Sequence, residues 1–198
     1  MTEDKLRDYE RKRDTDSSGE PSAGGRKTSR GTRTSFVVQR HDASSLHFDL
    51  RLEIDGVLVS WAVPKGPSLN PSDKRLAHRT EDHPLDYVDF EGRIGEGYGA
   101  GTVVVWDTGT FDNLTEEDGE EVALAQALDH GHLKVELHGE KLSGGFALTH
   151  TRMGGDEANW LLVKVDDDGA DRRRRPTSTQ NESVLSGHIN EDFEGDEG

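Results

Sequence analysis

From position 36 onward the chain is written in short apolar runs separated by turn residues, and the clearest run alternates with period two. Leu46, Phe48, Leu50, Leu52 and Ile54 point one way, while His47, Asp49, Arg51 and Glu53 point the other, as in a half-buried β-strand. Asp55-Gly56 then reads as a two-residue turn of the primed type, and 57–63 as the second strand of a hairpin. Further strands are predicted at 36–39, 75–80, 102–106, 133–137, 141–149 and 160–165. Turns are predicted at 107–110 and at Gly139-Glu140, a helical turn at 85–88 and a short helix at 122–128. About eight short strands with little helix predict an all-β fold, an antiparallel barrel or sandwich; a compact antiparallel β-barrel is preferred, because it would wrap a site on one strand with side chains from several others.

The apolar texture stops at both ends. Residues 1–33 are rich in Arg, Lys, Asp, Ser and Gly, with one possible short helix over 4–12, and 166–198 turn polar and acidic again. The expected organisation is one barrel domain over 34–165 between a flexible N-terminal segment and a flexible acidic C-terminal tail. The 198 residues suffice for one domain with a proper core.

Charge changes the picture of the surroundings. The net charge is −16, but residues 1–33 carry 9 basic against 7 acidic side chains, the only net-positive segment. Acid spread over the whole barrel region predicts adaptation to a salt-rich cytoplasm. Acidity ordinarily argues against a nucleic-acid partner, yet at 1 M salt the Debye length falls to roughly 3 Å, so only contacts inside a site matter. No apolar run suits a signal peptide or a membrane span, and the absence of cysteine fits a cytosolic protein.

The polar face of the alternating strand offers chemistry. Side chains at i and i+2 lie roughly 6.6 Å apart at Cα, close enough for His47 and Asp49 to share an ion, with Arg51 next in the row and His41 six residues upstream. Two imidazoles, a carboxylate and a guanidinium make a metal site with an anion clamp beside it. Without cysteine, the donor set suits Mn, Fe, Zn or Co. The five glycines within 92–101 around Tyr98 read as a tight turn more readily than as a phosphate cradle. His78, His130, His132, His138, His150 and His188 read as surface or turn residues, and Trp61, Trp106 and Trp160 as core.

Several motifs carry a family resemblance. The run from His41 to Pro67, with Glu81-Asp82-His83-Pro84-Leu85-Asp86-Tyr87, Phe90-Glu91-Gly92, Tyr98-Gly99-Ala100-Gly101 and Gly139-Glu140-Lys141-Leu142-Ser143-Gly144, resembles the 3′-phosphoesterase domain of bacterial DNA ligase D and its free-standing archaeal relatives. The resemblance implies a β-barrel that heals DNA 3′ ends with manganese. It places metal ligands at His41, His47 and Asp49 and phosphate contacts at Arg51 and His83, with Tyr87 nearby. The N-terminal segment resembles the family's opening motif through Tyr9, Lys12-Arg13-Asp14 and Glu20-Pro21, which implies that Arg13, Asp14 and Glu20 fold over the site when substrate binds. Thr15 stands where a phenylalanine is usual, and the glycine loop is one residue shorter before Tyr98 and lacks a proline.

The implied reaction has two steps: removal of a terminal ribonucleoside to leave a 3′-phosphate, then hydrolysis of that phosphate to a 3′-hydroxyl. The partners implied are DNA or RNA-tipped DNA 3′ ends, with a ligase and a polymerase acting in trans and the protein itself a monomer. Two other classes stay open. A non-catalytic DNA-end-binding repair accessory would bind without turnover, and an Fe(II) oxygenase would consume oxygen with a 2-oxo acid.

Overall fold

The computed structural model describes residues 2–24 and 34–195; residues 1 and 25–33 of the N-terminal segment and 196–198 of the C-terminal tail lie outside the described residues. The strands are β1 (Thr34–Asp42), β2 (Leu46–Ile54), β3 (Val57–Val63), β4 (Arg75–Arg79), β5 (Gly92–Ile94), β6 (Gly101–Asn113), β7 (Glu116–Glu117), β8 (Glu120–Glu121), β9 (His132–His138), β10 (Ser143–His150) and β11 (Asn159–Lys164). Antiparallel neighbours run β1-β2-β3-β4-β11-β10-β9-β6, and β6 also pairs with β1, closing an eight-stranded barrel with β5 added along β6. Closure pairs the edges that an open sheet would expose.

The β2–β3 hairpin follows the sequence pattern. Asp55 and Gly56 take φ of 50° and 82°, as the primed turn requires, and the ladder runs from Ile54↔Val57 to Phe48↔Val63. Phe48, Leu50, Leu52 and Ile54 enter the barrel core with Val59, Trp61 and Val63. All three tryptophans are buried, Trp61 lying edge-on to Trp160 at 5.7 Å between ring centres. Leu46, expected on the apolar face, is instead exposed at the strand's first position.

The expected turn at 107–110 is not there: β6 runs through it for 13 residues. Asp107 is buried and accepts the amides of Thr108, Glu140, Lys141 and Leu142. The pairing with β1 slips at this point, Val38 facing Asp107 and Gln39 facing Val105. A Cβ on Gly109 would meet the His138 carbonyl oxygen at 2.0 Å, so the glycine serves close strand approach rather than a turn. Because Lys141 and Leu142 donate to Asp107, the ladder of β10 starts at Ser143, two residues later than expected. The helix at 122–128 likewise shifts to α3 (Leu124–His130), since the Val122 amide is taken by the Thr115 carbonyl.

The C-terminal segment, expected to trail away, is laid along the barrel past α4 (Pro176–Thr179). Trp106 Nε1 donates to the Gln180 carbonyl at 2.5 Å, and Val184 N to Val105 O at 3.0 Å. Asn190 is fully buried, accepting from Arg40 at 2.6 Å and donating to the Arg40 and Thr102 carbonyls. Such hydrogen bonds join strand groups to partners that hydropathy does not reveal.

A second layer decides where the site lies. Alternation puts His47, Asp49, Arg51 and Glu53 on the face of β2 opposite the core, yet Asp49 is only 6% and Arg51 only 3% exposed. The N-terminal helix α1 (Thr2–Lys12) and a 3-10 turn at Leu85–Asp89 cover this outer wall, while the short α2 (Thr15–Ser18) meets the glycine loop, where the Gly95 amide donates to the Ser18 carbonyl. Leu6 reaches the main core, and Tyr9 packs with Leu58, Leu85 and Tyr87 in a separate cluster.

Candidate active site

Three strands bring the site together by register. His41 of β1 faces His47 of β2, Gln39 faces Asp49, and on the other side of β2 Arg51 faces Ser60 of β3. The rings of His41 and His47 lie 4.7 Å apart, and one donor atom from each of His41, His47 and Asp49 falls within 4.8 Å of the others.

The backbone orients both rings. Nε2 of His41 lies 2.7 Å from the Gly99 carbonyl, and Nδ1 of His47 lies 3.1 Å from the Ser45 carbonyl. A carbonyl only accepts, so those nitrogens carry hydrogens. The other nitrogens, Nδ1 of His41 and Nε2 of His47, face the Asp49 carboxylate at 3.3 and 3.4 Å. Two imidazoles oriented by backbone carbonyls beside a carboxylate are a donor set that could hold a divalent transition metal. Burial alone would raise the Asp49 pKa, but Arg51 and the two histidines hold it well below the usual carboxylate range, ready as an anionic ligand.

Arg51 is clamped before any ligand arrives. Its Nε donates to Gln39 Oε1 at 2.8 Å and one terminal nitrogen to Ser60 Oγ at 2.9 Å, while the other lies 3.4 Å from Asp49. The guanidinium lies over the Tyr87 ring at 4.8 Å. His83 is held on both ring nitrogens: Nδ1 lies 2.9 Å from the Glu81 carbonyl and 3.0 Å from an Arg51 terminal nitrogen, and Nε2 lies 3.2 Å from Arg13. Burial first, and then the guanidiniums of Arg51 and Arg13, push the His83 pKa well below its ordinary value, so the ring is neutral.

Arg13 and Glu20 stand in this group. Arg13 pairs with Glu20 at 2.9 Å and Glu81 at 2.5 Å, and Tyr87 Oη donates to Glu20 at 2.7 Å. Asp14 is not brought in: it is exposed at the start of α2, where its carbonyl accepts from Ser17 and Ser18. Gln39, Ser60 and Glu81 were missed as site residues. Ser60 shares its face of β3 with Leu58 and Ala62, opposite Val59 and Trp61 in the core, so no polar alternation marked it. The glycine loop contributes a carbonyl to His41; at Gly101, with φ of 147°, a Cβ would meet the Asp42 carbonyl oxygen at 2.1 Å. Of the histidines read as surface, His78 lines the cavity wall and His138 joins Asp112 in an exposed pair at 2.7 Å.

Residues 39–150, which include His41, His47, Asp49, Arg51 and His83, match the family model of the DNA ligase D 3′-phosphoesterase domain. The chain belongs to this family. It is 49% identical over 189 residues to the multifunctional non-homologous end joining protein LigD of Pseudomonas aeruginosa, covering 91% of this chain and 22% of that protein. It is 42% identical over 170 residues to the protein of the same name from Mycolicibacterium smegmatis, covering 83% of this chain and 21% of that one. The LigD protein of Mycobacterium tuberculosis is 45% identical over 163 residues, covering 82% and 20%. The chain thus spans about a fifth of the length of these relatives. Among the described residues no helix is long and apolar enough to cross a membrane.

Proposed function

We propose that this phosphoesterase domain heals DNA 3′ ends with a bound manganese ion, first releasing a terminal ribonucleoside and then converting the resulting 3′-phosphate to a 3′-hydroxyl for a ligase or polymerase. The observation that carries the reading is the oriented His41–His47–Asp49 set directly beside the pre-clamped Arg51. His41 Nδ1, His47 Nε2 and an Asp49 oxygen would hold the ion, which supplies Lewis acidity toward a phosphoryl oxygen when bound.

The chain's own residues do the rest. Arg51, fixed by Gln39 and Ser60, offers donors to phosphate oxygens without reorganising, which favours the charge of the transition state. His83, neutral and set between the Arg51 and Arg13 guanidiniums, offers a ring nitrogen to a water or hydroxyl proton at the same phosphorus as those guanidiniums turn to phosphate oxygens. Arg13 supplies a second cation above it, and Glu20 and Glu81 hold that cation in place.

Purified protein with manganese in high salt, acting on a primer–template ending in one ribonucleotide or in a 3′-phosphate, tests this. The expected products are a 3′-phosphate and then a 3′-hydroxyl, abolished by chelation. DNA-end binding without turnover would instead make the chain a repair accessory.

A further inference from the structure

Tyr98 is 54% exposed at the mouth of the cavity that holds the phosphate clamp, while the other tyrosines, Tyr9 and Tyr87, are buried. Its ring is flanked by two cations, the Lys12 ammonium at 5.1 Å and the Arg13 guanidinium at 5.3 Å from the ring centre. Its neighbour Gly99 holds His41 through the carbonyl, so the loop is tethered to the metal ligands. An accessible aromatic beside a guanidinium, within reach of a phosphate site, is the composition that stacks a nucleobase.

The cations beside Tyr98 are already engaged: Lys12 and Arg13 both pair with Glu81, at 3.1 and 2.5 Å, and Arg13 also pairs with Glu20 at 2.9 Å. This corner of the cavity therefore offers an aromatic face rather than unpaired positive charge, which suits a terminal nucleoside, carrying no phosphate beyond its own link, better than a continuing phosphodiester chain. We propose that Tyr98 stacks on the base of the 3′-terminal nucleoside, the group to be released, and so sets the preference of the first step. This rests on the phosphoesterase reading above.

The test compares Tyr98→Ala, Tyr98→Phe and Tyr98→Trp on two substrates, an end with one ribonucleotide and an end with a 3′-phosphate. Tyr98→Ala should lower kcat/KM for nucleoside release about tenfold or more, mainly through KM, because one base stack is worth about 1–3 kcal/mol. The phosphatase step should stay within about twofold, the aromatic variants should keep release, and an end whose terminal ribose lacks a base should not distinguish wild type from Tyr98→Ala. Without metal, a terminal 2-aminopurine should be quenched on binding by wild type and not by Tyr98→Ala. Equal loss on both substrates would overturn the proposal in favour of support for His41 through the loop; unchanged release, or quenching that survives Tyr98→Ala, would also overturn it. Quenching by a wild type inactive on both ends would refute the phosphoesterase reading while leaving the stacking intact.

Discussion

Arg13 and His83, seventy residues apart in sequence, meet at 3.2 Å between a guanidinium nitrogen and the imidazole Nε2. Through this contact, and through Glu20 at Tyr87, the N-terminal segment becomes part of a site whose other residues come from the barrel and its loops, and Arg13 adds to burial and Arg51 in keeping the histidine neutral. Arg13→Ala removes the shared cation between Glu20 and Glu81, side chains 1% and 2% exposed. Glu81 keeps Lys12 at 3.1 Å and Glu20 keeps the Tyr87 hydroxyl at 2.7 Å, so the loss of stability should stay below about 3–5 kcal/mol, the cost of a wholly uncompensated buried charge; chemical denaturation should show it, accompanied by a fall in kcat on both substrates.

Removing residues 1–33 should do more than remove a charged tether. Leu6 leaves the core and Tyr9 leaves Leu58, Leu85 and Tyr87 uncovered, so a protein starting at Thr34 is expected to bind manganese yet melt at lower temperature and turn over poorly. A purely electrostatic arm would matter less as salt rises; here the loss should persist at 1 M, where the Debye length is about 3 Å. Near-native rates at that salt would refute a packed, covering role.

Each of His41→Ala, His47→Ala and Asp49→Ala should abolish manganese binding and both activities while leaving the circular dichroism of the barrel unchanged, because the row lies opposite the core. Equilibrium dialysis reads the binding; retained manganese-dependent turnover in any one variant would refute the assignment.

Arg51→Lys keeps the charge but loses the planar fork that joins Gln39, Ser60 and the phosphate position. A fall in kcat of about 10²–10³-fold is expected, the range for losing one pre-positioned donor, and steady-state kinetics on the 3′-phosphate end measure it.

His83 predicts a pH dependence of stability. Its folded pKa is pushed below the ordinary value of 6.5 by burial, Arg51 and Arg13, so between the folded value and about 6.5 the unfolded chain binds a proton that the folded protein does not. Stability is therefore complete above about pH 6.5 and falls as the pH drops below it, by up to about 1.4 kcal/mol per pH unit. His47, raised chiefly by Asp49 against its burial, acts in the opposite sense, and comparison with His83→Gln subtracts it. Urea titrations from pH 7 down to 5 should give a shallower slope for the variant.

By itself the sequence determined the barrel class, the β2–β3 hairpin and the His41–His47–Asp49–Arg51 row, because period-two alternation and a two-residue turn are local properties of the backbone. It also carried the residue types of the family, which brought in His83, Tyr87, Arg13 and Glu20. Only the tertiary structure decided which of these meet and on which side of the sheet. The row lies on the outer wall because the apolar face fills the barrel, and it is buried because α1 and the turn at Leu85–Asp89 cover it. The course of 107–110 was not legible either, since Asp107 and Gly109, turn formers in isolation, answer there to amides and a carbonyl more than twenty residues away. Gln39 stayed hidden for the same reason. Its value is its position opposite Asp49 across the β1–β2 pairing, where it joins Arg51 to the carbonyls of Tyr87 and Phe90, and register between strands is fixed by the packed whole.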